Sequence, residues 1–186
     1  MKFLDLVKSR QSVRRYRNQK VEPEKIERCI EAARLAPSAC NSQPWSFVVV
    51  TDPELCKKVA TATFNELISF NKFVIQAPVL IVIVQESPKL ITRIGGEIKR
   101  KEYPLIDIGI AAEHLCLQAV EEGLGTCMIG WFNQTRIRKL LGIPTGKSIG
   151  LILTLGYPPE TYRVRDKSRK SYNDTVFYNT YGASRL

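Results

Sequence analysis

The chain has little of the material from which metal centres, disulfide frameworks and membrane anchors are built. It contains one histidine and five cysteines, an odd number without a Cys-x-x-Cys pair, which argues against a zinc site, an iron–sulfur cluster or a set of disulfides. No apolar run approaches the ~20 residues that span a bilayer, and the N-terminal residues have no signal-peptide core. We therefore expect a cytoplasmic protein without a metal site or a membrane partner.

The chain is nevertheless well supplied with core-forming residues. At 186 residues, of which 44% are hydrophobic, it can bury a full core, and we expect a single domain over residues 1–186. Repeats and low-complexity segments are absent from the sequence. Periodicity and capping patterns predict a helix from Pro23 to just before Pro37 and further helices at 53–63, 65–75, 106–122 and 134–141. Strands are predicted at 45–50, 79–84, 126–131, 149–155 and, as a short element, 176–178. Residues 86–104 are the least regular stretch and form a loop or a short helical excursion, which we interpret as a lid-like insertion.

Positive charge is concentrated in two short segments near opposite ends of the chain. The formal net charge is +10. Residues 8–20 carry six cations and no acid, residues 163–170 carry five cations and one acid, and the rest of the chain sums to zero. Two such clusters can fold together around one compact anion, for which a phosphate is the natural candidate.

Two motifs carry candidate binding chemistry. The first, Arg10-Gln11-Ser12-Val13-Arg14, offers two guanidinium groups and a hydroxyl on one side of an extended segment, and its alternative is a solvated basic turn. The second, Ala36-Pro37-Ser38-Ala39-Cys40-Asn41-Ser42-Gln43-Pro44-Trp45, is a proline-braced polar loop that suits the edge of a heterocycle. Its alternative is an ordinary helix-to-strand turn. Downstream, Trp131 and Phe132 read equally well as active-site walls or as core residues.

Together the two motifs resemble those of the nitroreductase family of FMN-dependent oxidoreductases. Other features occur in the family's order: Ala77-Pro78 before a strand, Gly123-Leu124-Gly125 after an apolar helix, Ile129-Gly130, Gly156-Tyr157-Pro158 and Lys167-Ser168-Arg169. The resemblance implies an α+β sandwich with a mostly antiparallel central sheet flanked by helices. It also implies an intertwined homodimer with helix 106–122 in the dimer core.

The resemblance further implies a cofactor site shared by two subunits. The FMN phosphate would be held by Arg10, Ser12, Arg14, Lys167 and Arg169. The partner subunit would approach the flavin through Pro37, Ser38, Asn41 and Gln43. Asn71 would reach the pyrimidine edge or the ribityl chain, and the backbone amides of Ile129 and Gly130 would face flavin N5.

The implied reaction takes a hydride from NADH or NADPH and reduces nitroaromatics, quinones or similar small electron-poor acceptors. No catalytic side chain is required, because the flavin supplies the chemistry. One alternative is a family variant that acts on enones, halogenated substrates or flavin itself, and another is a non-enzymatic flavin-binding or sensing protein. A nucleic-acid binder is disfavoured, since the excess cations lie in two segments and no aromatic-basic stacking motif accompanies them.

Overall fold

Six α-helices and four β-strands make up the part of the chain that the structure describes. The computed structural model describes residues 2–99 and 101–183. The helices are α1 (Phe3–Ser9), α2 (Pro23–Arg34), α3 (Pro53–Ala60), α4 (Leu90–Lys99), α5 (Tyr103–Glu121) and α6 (Gln134–Leu141). The strands are β1 (Trp45–Val50), β2 (Val79–Gln85), β3 (Gly125–Ile129) and β4 (Ser148–Gly156). Short 3-10 turns occur at Ala39–Asn41 and Lys72–Gln76.

The strands form one antiparallel sheet in the order β1-β2-β4-β3. At one edge, β1 is registered on β2 with Trp45 opposite Gln85. At the other edge, Ser12 from the N-terminal segment forms an isolated parallel bridge to Thr126 of β3. The predicted α+β fold with a mostly antiparallel sheet is confirmed, and the four long predicted strands are present within two residues of their predicted ends.

Helices cover both faces of the sheet because the central strand is apolar on both faces. Alternate residues of β2 (Val79, Ile81, Ile83) lie in the core that α2 and α5 cover, and the others (Leu80, Val82, Val84) lie in the core of α3 and α6. A strand buried on both faces reads as a continuous apolar run, which is why it was predictable. None of the described helices combines the length and the apolar composition required to cross a bilayer.

Local capping chemistry sets the ends of α3 and α6. Asp52 precedes α3 and accepts the backbone N–H of Leu55 at 2.7 Å, while Asn133 precedes α6 and accepts the N–H of Arg136 at 2.9 Å. Each carboxylate or amide oxygen thus satisfies a helix N–H that has no intrahelical partner. Gly142 ends α6 in the left-handed conformation, with φ 65°.

One prediction for the middle of the chain is wrong. Residues 65–75 are turns followed by a 3-10 turn rather than a helix. The side-chain oxygen of Asn65 accepts the N–H groups of Leu67 and Ile68 at 3.0 and 2.7 Å, and this local turn competes with a helix. For residues 86–104 the sequence left a loop and a short helical excursion open, and the structure has the helix: α4 lies within the segment, and α5 begins in it at Tyr103.

The short strand predicted at 176–178 is also wrong for this chain. Residues 158–183 contain turns and irregular structure without a strand. The N–H of Val176 bonds the carbonyl of Tyr172 at 2.9 Å, and Phe177 packs against Tyr181 with ring centroids 4.9 Å apart. These contacts within the segment take the place of pairing with a sheet edge.

Candidate functional site

The first basic segment lies along the free edge of β3. The N–H of Val13 donates to the carbonyl of Thr126 at 2.8 Å, and the Val13 side chain is 4% exposed. Because successive side chains of an extended segment point to opposite sides, burial of Val13 turns its neighbours Ser12 and Arg14 away from the core. Arg10, in the same segment, forms an ion pair with Glu113 of α5 at 3.1 Å.

The second basic segment, residues 163–170, lies against the first. Arg165 donates from Nη2 to the carbonyl of Ser12 at 2.7 Å. It also donates from its backbone N and its Nε to Oε1 of Gln11, both at 3.2 Å. Farther along, Lys167 donates from Nζ to the carbonyl of Val7 at 2.5 Å. Side chains and backbone groups separated by most of the chain therefore meet at one place.

A cavity of about 330 Å³ forms where the two segments meet, lined by Arg10, Gln11, Ser12, Arg14, Arg165, Asp166, Lys167, Ser168 and Arg169. Five of these residues are cationic and one is acidic. Burial lowers the pKa of the Lys167 ammonium, and the charges of Arg10 and Arg169 lower it further. The cations thus repel one another, and an anion in the cavity would relieve that repulsion.

A second cavity, of about 470 Å³, adjoins the first through Arg14, which lines both. Its other lining residues are Phe70, Asn71, Cys127, Met128, Ile129, Gly130 and Trp131. Asn71 is 5% exposed, and its amide nitrogen donates to the carbonyls of Thr63 and Trp131 at 3.1 and 3.2 Å. Both amide hydrogens are used in this way, so Asn71 can offer a ligand its acceptor oxygen.

The end of β3 supplies backbone and aromatic surface to the second cavity. The side chain of Ile129 is 3% exposed, and the space where a Cβ of Gly130 would lie is open, so both residues present mainly backbone to a ligand. Of the two aromatic residues left open by the sequence, Trp131 is 53% exposed and lines the cavity. Phe132 instead packs against the core under α3 and α6.

The proline-braced loop forms a separate group of predicted site residues. Its Pro37, Ser38, Asn41 and Gln43 line neither cavity. The loop is internally braced, since Ser38 Oγ accepts the N–H of Gln43 at 2.9 Å and the Gln43 amide donates to Asn41 Oδ1 at 2.9 Å. The N–H of Ala39 anchors it to both carboxylate oxygens of Asp107, at 3.1 and 3.2 Å.

Sequence reasoning missed three lining residues with clear roles in this geometry. Arg165 belongs to the second basic segment and was counted there without being singled out. Phe70 immediately precedes Asn71, and nothing in the sequence indicates that its side chain is 65% exposed. Gln11 lies inside the first motif, but a neutral residue between two arginines does not stand out when charge is the criterion.

The two adjoining cavities fit the two ends of FMN. A phosphate carries about two negative charges and three acceptor oxygens, which matches a cavity lined by five cations. A flat ring system needs apolar walls and a few fixed polar groups, which the second cavity has in its aromatic residues, the Asn71 oxygen and the backbone of Ile129 and Gly130. Arg14 lies between the two ends.

Comparison with known proteins agrees with this fit. Residues 7–157 match the sequence profile of the nitroreductase family. A protein of Archaeoglobus fulgidus, provisionally named NADH dehydrogenase/NAD(P)H nitroreductase, is 33% identical over 165 residues, which are 84% of this chain and 86% of that protein. Iodotyrosine deiodinase 1 of Mus musculus is 31% identical over an alignment of 196 positions, gaps included, which covers 94% of this chain and 68% of the mouse protein.

A solved structure shows the same fold. The FMN-dependent nitroreductase of Clostridium difficile R20291 superposes with a TM-score of 0.78 at 28% identity, over 96% of this chain and all (100%) of that one. Sequence profile, relatives and fold agree, so the chain belongs to the nitroreductase family and is an NAD(P)H-dependent flavin oxidoreductase that uses FMN.

Proposed function

We propose that this chain, as one FMN-binding domain, passes reducing equivalents from NADH or NADPH through FMN to small electron-poor acceptors such as nitroaromatics or quinones. The observation that carries the proposal is the meeting of the two basic segments at one cavity, beside a second cavity with aromatic walls. In this proposal the FMN phosphate is held by Arg10, Ser12, Arg14, Lys167 and Arg169.

The second cavity gives the ring system a fixed position and limits its contact with water. Asn71 presents its acceptor oxygen, and the backbone of Ile129 and Gly130 presents polar groups at the end of β3. Phe70 and Trp131 shield the remaining surface. When bound, FMN supplies the electron-transfer chemistry between the nicotinamide and the acceptor.

The lining of the second cavity supports a broad acceptor range. Among the residues that the structure describes, this lining contains neither a carboxylate nor a histidine, and Arg14 is its one charged residue. A pocket without opposed polar groups selects ligands by flatness and electron demand rather than by a hydrogen-bonding pattern. The same lining offers no side chain suited to general acid or base catalysis, so we assign no catalytic residue.

A homodimer completes the proposed site. No residue of α1 is buried, and its large apolar side chains Phe3 and Leu4 are 67% and 68% exposed. An apolar helix surface of this kind calls for a cover, which a second copy would provide. The same partner would bring its loop 37–43 to the flavin, consistent with the loop lining neither cavity of its own chain. Sedimentation of the purified protein as a monomer at micromolar concentration would exclude the dimer.

The main proposal is tested by flavin content and anaerobic reduction. We expect the protein to retain one FMN per chain after gel filtration, and we expect the visible absorbance of the bound flavin to bleach with NADH or NADPH. Addition of a nitroaromatic or a quinone should restore the absorbance. Retained flavin that neither nicotinamide reduces would contradict the proposal.

Reductive dehalogenation is a second candidate, favoured by the 31% identity to mouse iodotyrosine deiodinase 1 over 94% of this chain. A halogenated phenol is flat and aromatic, which suits the aromatic walls of the second cavity. The two candidates differ in product: halide released from an iodophenol under turnover would support dehalogenation, whereas turnover of quinones without halide release would support the main proposal.

A further inference from the structure

The basic segment 163–170 is held in place by polar contacts rather than by burial. It lies outside helices and strands, and most of its residues are exposed. Its one large apolar side chain, Val164, is 57% exposed, so hydrophobic packing contributes little to its position. The segment also carries the cations that complete the phosphate cavity. Its position therefore depends on a small number of hydrogen bonds.

One neutral side chain supplies three of those hydrogen bonds. The Gln11 amide donates from Nε2 to the carbonyl of Arg163 at 3.2 Å. Its Oε1 accepts the backbone N–H of Arg165 and the guanidinium Nε–H of the same residue, both at 3.2 Å. An amide that bonds the C=O of one residue and the N–H of the residue two positions later acts as a neighbouring β-strand would. The single side chain of Gln11 thus gives segment 163–170, which we call the tail, the hydrogen bonds that a neighbouring strand would supply.

The charge balance of the cavity explains why the contact is neutral. Arg165 and Lys167 approach Arg10 and Arg14, and the lowered pKa of Lys167 records the repulsion and burial there. A carboxylate at position 11 could accept hydrogen bonds from Arg165 but could not donate to the carbonyl of Arg163, and it would also repel a phosphate. An amide attaches the tail and leaves the positive potential available to the ligand.

We propose that Gln11 is a positioning residue for the phosphate site, which holds segment 163–170 against the N-terminal segment so that Arg165, Lys167 and Arg169 face the bound phosphate. The inference rests on the proposed FMN site. In it, Gln11 affects FMN binding by fixing the position of the tail and not by contact with the phosphate.

The test compares FMN with riboflavin, which lacks the phosphate. Gln11→Met keeps the length of the side chain and removes its hydrogen bonds. We expect it to weaken FMN binding about 10-fold in a flavin fluorescence titration of the apoprotein and to leave riboflavin binding unchanged. Gln19→Met is the matched control, because Gln19 is exposed on the same stretch of chain, and it should bind both flavins like wild type.

Two further measurements separate positioning from loss of structure. Trypsin should cut the Gln11→Met apoprotein between residues 163 and 170 faster than it cuts wild-type apoprotein, as measured by mass spectrometry. Inorganic phosphate, added in excess, should slow this cleavage more in wild type than in the variant. Arg165→Lys keeps the charge but loses the Nε contact with Gln11, and it should weaken FMN in the same direction, by about 3-fold.

Each result has a defined meaning. Equal wild-type affinity for FMN and riboflavin would overturn the phosphate site itself, and with it the proposed function. If wild type prefers FMN while Gln11→Met and Arg165→Lys bind FMN like wild type and resist trypsin equally, the phosphate site stands and the role of Gln11 is refuted. Equal weakening of FMN and riboflavin in Gln11→Met would also refute it, because a positioning role acts through the phosphate.

Discussion

Gly125 is the point at which the sheet dictates the geometry of the phosphate site. A Cβ added there would lie 2.5, 2.8 and 2.9 Å from Cγ2, Cβ and Cγ1 of Val13. Carbon atoms pack best at about 3.5–4.0 Å, so in Gly125→Ala the two residues must separate by roughly 1 Å. Because Cβ of Val13 is itself too close, a change of Val13 rotamer cannot relieve the clash. The backbone of the N-terminal segment has to move.

That movement reaches the site through the immediate neighbours of Val13. Ser12 and Arg14 line the phosphate cavity, and the bridge from Ser12 to Thr126 is among the first contacts to stretch. Overpacking of this kind costs about 1–3 kcal/mol, which for a domain of this size corresponds to a melting temperature lower by roughly 2–12 °C. Partial loss of charge-assisted bonds to phosphate should also weaken FMN by about 10-fold.

The assay is thermal unfolding of the apoprotein together with titration of FMN and riboflavin. Gly146→Ala is the control, because an added Cβ there meets no atom within 4 Å, and it should match wild type. Adding Val13→Ala to Gly125→Ala removes both γ-carbons from the clash and should recover part of both losses. A Gly125→Ala protein with wild-type melting temperature and wild-type FMN affinity would refute the reasoning.

Three other predictions follow from individual contacts. Arg10→Ala should weaken FMN roughly 10- to 100-fold without changing riboflavin affinity, as measured by fluorescence titration; equal effects on both flavins would argue against its phosphate role. The Arg28 guanidinium holds the pKa of Glu122 at about 2, below its ordinary value of 4.5. A depressed folded-state pKa gives stability that is present above pH 4.5 and is lost as the pH falls toward 2. The free energy of unfolding of Arg28→Ala, measured with denaturant, should therefore fall less steeply with acid than that of wild type. If the two free energies fall in parallel, Arg28 does not set the pKa of Glu122. Trp131→Ala should raise KM for aromatic acceptors several-fold, with roughly unchanged reduction by NAD(P)H; an unchanged acceptor KM would remove Trp131 from the acceptor site.

The parts of the fold that were predictable are those in which local pattern and tertiary environment agree. β2 is apolar and buried at every position from Val79 to Val84, and α6 begins after an Asn133 cap and ends at Gly142. For α4 the sequence left a loop and a short helix open, because Gly95-Gly96 and the flanking prolines interrupt the four-residue spacing of Leu90, Ile94 and Ile98. Those three side chains are 62%, 46% and 71% exposed, so no core within this chain reinforces the helical pattern.

The candidate site was predictable to the extent that charge alone determines it. Unbalanced cations in two distant segments need a common anion, and the structure places both segments at one cavity. The way in which the tail is attached was not predictable, because Gln11 carries no charge and belongs to no periodic pattern. A hydrogen bond between residues 11 and 165 depends on the path of the whole intervening chain, about which local sequence is silent.

Loop 37–43 extends this argument to a second copy of the chain. Cys40, Asn41 and Gln43 hold positive φ values of 52°, 50° and 48°, a conformation that costs a non-glycine residue about 1–2 kcal/mol. Such strain persists when surrounding contacts enforce it, and here the contacts of Ser38 with Gln43 and of Ala39 with Asp107 do so. Yet the loop serves neither cavity of its own chain. A strained, preorganised polar loop without a ligand in its own subunit is what the proposed homodimer requires, because in that assembly its ligand is the flavin of the partner.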